Sequence, residues 1–197
     1  KFSKGEAAKA APEDAECTLY GVEPSASAEG ETIVGQNWDN APFIGEDLYI
    51  LHIDEENGTR ILALTEPGQL VRSGMNSHGL GLACATLLST LDRPEAAIPT
   101  NFLRRRLLQC RSMAEAQSIL DEFRPKVSLN YLVGSAKDKK VLLRETNPLE
   151  NYTIETARGV LGHGNDFLAN PQIDRFRPEE GRQFRGQRLW YLLGKQT

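Results

Sequence analysis

Most of the features that would mark a metal, membrane or nucleic-acid protein are missing from this chain. It has three cysteines, Cys17, Cys84 and Cys110, and no two of them stand in a CxxC spacing, so neither a zinc knuckle nor a dithiol redox pair is written here. An odd number cannot all pair within one chain, which points to a reducing, intracellular compartment. The three histidines, His52, His78 and His163, are too scattered to set two ligands on one helix face. No metal and no cofactor is therefore expected. No apolar run comes near the roughly 20 residues that cross a bilayer, and residues 1–16 hold no signal-peptide core. Lysine and arginine (23) are outnumbered by aspartate and glutamate (27). That balance offers no broad basic field, so neither nucleic acid nor an anionic membrane is an expected partner.

What is present suits one globular core: 197 residues, 40% of them hydrophobic, can bury about 70% of the unfolded surface. Residues 3–16 hold no large apolar side chain and cannot recover their ordering entropy by burial, so 1–16 read as a linker and 17–197 as the core. From Cys17 the pattern is of short strands and turns: CTLYGV, ETIVGQNWD, DLYILHID, the ENG turn and RILALTEP. In MNSHGLGLACATL a further strand pair is expected, with Gly79, Gly81, Ala83 and Ala85 small enough for another layer to approach. Pro99 opens a helix carrying Leu103, Leu107 and Cys110 on one stripe, and Ser112 with Glu115 has capping-box spacing for a second. Within the first, Arg104, Arg105 and Arg106 read as a solvated face in preference to an anion site. VSLNYLVGSA and KVLLRET form a hairpin pattern, YTIETA and VLGHG continue the strands, and 182–195 return to helical spacing. Strands, helices and strands again, without βαβ alternation, describe an α+β sandwich.

Cys17 stands where the linker gives way to the first strand. On position alone a cysteine there is more often a packing residue than a nucleophile. The combination of DAECTLYGV with GQNWDNAPF (35–43) and LGHGNDFL (161–168) changes that balance. Together with MNSHGLGL, SLNYLVGSA followed by Glu145 and Pro148, and RGQRLWYLL, it resembles the acyl-coenzyme A:isopenicillin N acyltransferase family and its amide-hydrolysing relatives, within the N-terminal nucleophile hydrolase superfamily.

The resemblance implies a four-layer αββα sandwich of antiparallel sheets, here incomplete at both ends. It makes Cys17 the nucleophile, exposed by self-cleavage of the Glu16–Cys17 bond. The chemistry suits the residue: a thiol needs only a nearby base, and the freed α-amine, with a reference pKa of about 7.7–8.0, can take its proton and return one to the leaving amine. Asp39 matches the acidic residue that orients that ammonium, and Asn165 the donor of an amide N–H to the oxyanion; read without the resemblance, both suit turns. Tyr20 and Trp38 are candidates for lining the acyl pocket, whereas His78 and His163 read as hydrogen-bonded scaffold. The expected substrate is a small acylated amine or peptide, with acyl-coenzyme A as a donor, and the processed pieces of one precursor are expected to stay associated. The family includes peroxisomal enzymes.

Departures from the family pattern carry information too. Gln36 stands where bile-salt and ceramide amidases have arginine, Glu16 replaces a small residue before the nucleophile, and Ala83 and Ala85 stand where the penicillin-making member has asparagines. The family's catalytic arginine is expected beyond Thr197. Glu16 keeps open a second reading, an unprocessed homologue serving as a binding or scaffold domain.

Overall fold

The computed structural model describes residues 16–40, 42–93, 95, 97–175, 183–193 and 195; all of the expected linker except its last residue lies outside them. Among the described residues the strands β1 (Glu16–Val22), β2 (Ile33–Asp39), β3 (Tyr49–Asp54), β4 (Arg60–Thr65), β5 (Ser73–Asn76) and β6 (Leu80–Thr86) come first. Helices α1 (Thr100–Leu108) and α2 (Met113–Glu122) follow, then β7 (Leu129–Ser135), β8 (Lys140–Thr146), β9 (Asn151–Ile154), β10 (Val160–His163) and α3 (Gln183–Leu193). None of the described helices is long and apolar enough to cross a membrane.

Two antiparallel sheets result. The smaller has the order β10-β1-β2, and the larger runs β3 to β9 in chain order. Helix α3 packs on β10 and β1, while α1 lies on β5 and β6 and α2 on β7. The layers are therefore α3, small sheet, large sheet, α1 with α2, which is the αββα order expected. One apolar cluster fills the space between the sheets (Cys17, Leu19, Ala83, Ala85, Leu132, Leu143, Leu161) and another lies between the large sheet and α1 and α2 (Ile61, Leu82, Cys84, Leu107, Leu120, Tyr131).

The burial patterns follow from these positions. In β4, Ile61, Ala63 and Thr65 are buried while Arg60 and Leu62 are exposed, the two-residue period of a strand covered on one face. β7 is buried at every position because the other sheet covers one face and α2 the other. Ser112 caps α2, its Oγ accepting from the Glu115 amide at 3.3 Å, and the Glu115 carboxylate returns to the Arg111 amide at 2.8 Å, one residue earlier than a standard capping box. The arginine run departs from its expected solvated face: Arg104 is buried under α1, Arg105 pairs with Glu55 and only Arg106 is exposed. Helical spacing puts Arg104 beside Leu103 and Leu107 on the packed stripe, a geometry that a charge count does not reveal.

The sheets meet closely where β2 crosses β7. A Cβ at Gly134 would overlap Val34 Cγ2, and one at Gly21 would stand 3.1 Å from Val141. Ala83 and Ala85 do serve the close approach, whereas Gly79 is a turn residue at φ +81. Gly134→Ala should therefore force Val34 aside and lower unfolding stability by about 1–3 kcal/mol, read as a lower denaturation midpoint at unchanged slope.

Candidate active site

β1 pairs with β10 from Leu19↔His163 to Val22↔Val160, and with β2 from Glu16↔Asp39 to Val22↔Ile33. Cys17 is thus held on one side by a complete ladder and lies just past the end of the other. Continuing the β1–β10 register by two residues would set Cys17 opposite Asn165, and there the side chain takes over. The Cys17 amide donates to Asn165 Oδ1 at 2.6 Å, joining residues 148 apart. The nitrogen of that side-chain amide donates one of its two hydrogens, from Asn165 Nδ2 to Thr86 O at 2.8 Å. Asn165 is fully buried and also lies within hydrogen-bond reach of the Cys17 sulfur.

Arg185 of α3 completes the cluster. Its Nη1 donates to Cys17 O at 2.9 Å and to Thr18 Oγ1 at 3.4 Å, and its Nη2 to Asn165 Oδ1 at 3.1 Å. The helix can come this near because of Gly186, where a Cβ would stand 2.8 Å from the Gly164 amide nitrogen. Arg185 was not among the residues that the sequence reading singled out. The signal was there in RGQRLW, because a glycine inside a helix costs about 1 kcal/mol against alanine and calls for a packing reason.

Behind Asn165 lies a fully buried chain of polar groups. The Ala85 amide donates to Asn130 Oδ1 at 2.7 Å, so Asn130 Nδ2 faces His163 Nδ1 at 2.7 Å and Gly164 O at 3.3 Å. His163 Nδ1 also lies 2.8 Å from Gly164 O, and its Nε2 meets Glu145 Oε1 at 2.7 Å. Glu145 also accepts from the amides of Leu168 at 2.7 Å and Ala169 at 3.1 Å. His163 is a scaffold residue, as expected, and His78 is another, bonded to Thr59 Oγ1 at 3.1 Å.

On the other flank, Trp38 stands opposite Cys17 in the ladder and packs against its cluster. The Arg72 guanidinium lies 3.9 Å from the Trp38 ring centroid, and its Nε donates to Glu66 Oε2 at 2.8 Å while Nη2 bonds Glu66 Oε1. Gln36 bridges to the large sheet: its Nε2 donates to Cys84 O at 2.7 Å and its Oε1 accepts from the Cys84 amide at 3.4 Å. Burial pushes the Cys17 thiol above its usual range, and Gln36, the Arg72 charge, the Asp39 backbone and Asn165 offset only part of that.

Of the expected site residues, Cys17, Trp38 and Asn165 come together. Asp39 lies opposite Glu16 with its backbone near the sulfur and its side chain exposed. Tyr20 does not join them. It is three residues from Cys17 on a strand, an odd offset that turns it to the opposite face, where it covers Gly35.

The chain matches the model of the acyl-coenzyme A:6-aminopenicillanic acid acyl-transferase family over residues 26–187. Among solved structures it is similar to the Caenorhabditis elegans ortholog of N-acylethanolamine-hydrolyzing acid amidase, with a TM-score of 0.60 and 16% identity over 90% of this chain and 85% of that one. It is also similar to a mutant of the conjugated bile acid hydrolase from Clostridium perfringens, with a TM-score of 0.52 and 18% identity over 74% of this chain and 52% of that one. At these identities the two structures speak for the fold alone. A search of curated proteins found no match. The family match covers most of the chain, so the protein belongs to the acyl-coenzyme A:6-aminopenicillanic acid acyl-transferase family, a class of acyltransferases and amide hydrolases, and has the N-terminal nucleophile hydrolase fold.

Proposed function

We propose that the protein is a self-processing enzyme whose Cys17 cleaves the bond after Glu16 and then moves acyl groups from amides or thioesters to water or to an amine, through a Cys17 thioester. The observation that carries this reading is the meeting of Asn165 and Arg185 at the two ends of one residue, the Cys17 amide and the Cys17 carbonyl.

In processing, Sγ of Cys17 attacks the Glu16 carbonyl carbon, the C–N bond breaks with a proton delivered to nitrogen, and water opens the resulting thioester to leave a free α-amine. The new amine lies where β1 and β2 pair Glu16 with Asp39, so the Asp39 carboxylate can orient its ammonium form. In turnover the amine takes the thiol proton, Sγ attacks the acyl carbon, and the proton passes to the leaving amine or thiol. Water or an acceptor amine, deprotonated by the same α-amine, then releases the acyl group. Asn165 supplies an amide N–H to the oxyanion, and Arg185 holds Asn165 and the Cys17 carbonyl in place. Substrates of this class are small acylated amines or peptides, with acyl-coenzyme A as a thioester donor. On this reading the processed pieces of one precursor stay associated.

Three outcomes test the proposal. Cys17→Ala should fold but remain a single piece by intact mass and release no acyl group, whereas Cys17→Ser should be cut slowly, its hydroxyl being far harder to deprotonate; normal acyl release by the alanine variant would exclude Cys17 as the nucleophile. Asn165→Ala should lower kcat by about 100- to 1,000-fold in steady-state assays. In the uncut chain, iodoacetamide labelling of Cys17 should rise only at pH above the ordinary thiol range, because the raised thiol pKa leaves little thiolate at neutrality. Arg72→Gln removes a positive charge that favours the thiolate, so it should move that rise to still higher pH.

A further inference from the structure

Cys84 lies past the end of a ladder. β5 pairs with β6 only at Gly74↔Leu82 and Met75↔Gly81. Continuing that register would set Arg72, which precedes β5, opposite Cys84, and no pairing is made there. The Gln36 side chain takes the place instead. Its Oε1 accepts from the Cys84 amide at 3.4 Å and its Nε2 donates to Cys84 O at 2.7 Å. A primary amide has one carbonyl oxygen and two N–H hydrogens, so this clamp uses the oxygen and one hydrogen and fixes the plane in which the second hydrogen lies. Arginine, with donors only, could not close the same clamp.

The second hydrogen is aimed by the register of the small sheet. Cys17 stands opposite Trp38 and Leu19 opposite Gln36, and residues two apart on a strand share a face, so Gln36 is the diagonal neighbour of Cys17. Such pairs lie about 7–8 Å apart, within reach of a long side chain, and the Gln36 amide is within hydrogen-bond reach of the buried Cys17 sulfur. Asn165 reaches the sulfur too. One of its Nδ2 hydrogens is held by Thr86 O, and in the proposed mechanism the other goes to the oxyanion. Of the two side-chain amides at the sulfur, Gln36 is the one that stays there through the chemistry.

We propose that Gln36 is a catalytic residue that donates its second Nε2 hydrogen to the Cys17 sulfur whenever that sulfur carries negative charge. This deepens the acyl-transfer reading and rests on it. The charge arises twice. In acylation Sγ gives its proton to the α-amine and attacks the acyl carbon, and the bond to the leaving amine or thiol breaks with that proton delivered to the leaving group. In release, water or the acceptor amine loses a proton to the α-amine and attacks the same carbon. The C–Sγ bond then breaks with its electron pair going to sulfur, and the proton returns there. A hydrogen bond to a charged group raises the thiolate fraction about ten- to a hundredfold at pH below the thiol range. Nucleophilicity falls with basicity at about half that logarithmic rate, so acylation keeps a net gain of about three- to tenfold, and release gains as well because a less basic sulfur leaves faster.

The test follows alkylation of Cys17 by iodoacetamide against pH, read by peptide mass spectrometry on the full chain, with acyl release measured beside it. Gln36→Met keeps the length of the side chain and removes the donor, and Gln36→Glu keeps an acceptor for the Cys84 amide but puts a negative charge where the donor was. In both, the rise of labelling should move to higher pH, with rates below it about three- to tenfold lower and a plateau above it higher than in the wild type. The sign separates chemistry from architecture. A variant that only loosened the join between the sheets would expose Cys17, and because burial is what holds its thiol up, the rise would move to lower pH. A rise left unmoved or moved to lower pH would overturn the proposal. A second measurement needs no change at position 36: one of the two Gln36 Nε2 proton resonances should shift over the pH range of the labelling rise and stay still in Cys17→Ala. Resonances that ignore the Cys17 titration would overturn the proposal equally. Failure of the acyl-transfer reading would show differently, as a wild type that releases no acyl group while its Gln36 resonance still follows the thiol.

Discussion

The bond from the Cys17 amide to Asn165 Oδ1 is a backbone bond made by a side chain. Along β1 the partners are main-chain groups of β10 as far as Leu19↔His163, and the ladder would then leave the Cys17 amide without its carbonyl. Buried as it is, that amide must find an acceptor or cost about 1–3 kcal/mol. Asn165 meets the need at 2.6 Å and is itself pinned by Thr86 and Arg185. The rest of the architecture serves this contact. β10 must lie beside β1, α3 must approach to the distance that Gly186 permits, and the end of β6 must present the Thr86 carbonyl.

A side chain that replaces a ladder carbonyl has rotational freedom that the ladder lacks, and the buried groups behind Asn165 remove it. Glu145, His163 and Asn130 are each fully buried, which is expensive unless every polar atom is matched. Here they are matched in series, from the Ala85 amide through Asn130 and His163 to Glu145 and the amides of Leu168 and Ala169. Such a chain in a low-dielectric interior is worth more than isolated pairs and fixes one geometry. It anchors both ends of the turn that carries Gly164 and Asn165. The scaffold histidine thus acts on the site without touching the sulfur.

Strand identity was legible in the sequence wherever a single face is buried, because alternation in β1 and β4 is a local signal. Layer order was legible only through the resemblance, since nothing local says which sheet α3 will cover. The site divides along the same line. Cys17 and Asn165 stand in motifs distinctive enough to be found. Tyr20 was misplaced because nearness in sequence stood in for nearness in space, against the two-residue period that separates the faces. Arg104 was misread because a run of three arginines suggests solvent, although helical geometry gives each one a different environment. Arg72 carries no sequence signal at all. It reaches the site through a pair with Glu66 and a stack on Trp38, both products of tertiary packing.

The uncut geometry also bears on what the α-amine can do once it is free. In the chain as described, the Cys17 nitrogen carries one hydrogen, and Asn165 Oδ1 accepts it. Hydrolysis of the Glu16–Cys17 bond replaces the acyl substituent on that nitrogen with hydrogen and turns a planar amide into a pyramidal amine with a lone pair. If the bond to Asn165 persists, the nitrogen keeps one fixed direction, and the lone pair and the other hydrogen divide the space that the Glu16 carbonyl occupied and the space toward the sulfur. A carboxylate at the first of these, the role given to Asp39 on the proposed reading, favours the N–H there and turns the lone pair toward Sγ. On the proposed reading, the contact that satisfies a backbone amide before processing aims a base after it. Folding and catalysis then ask the same thing of Asn165, an acceptor at one fixed point beside β1.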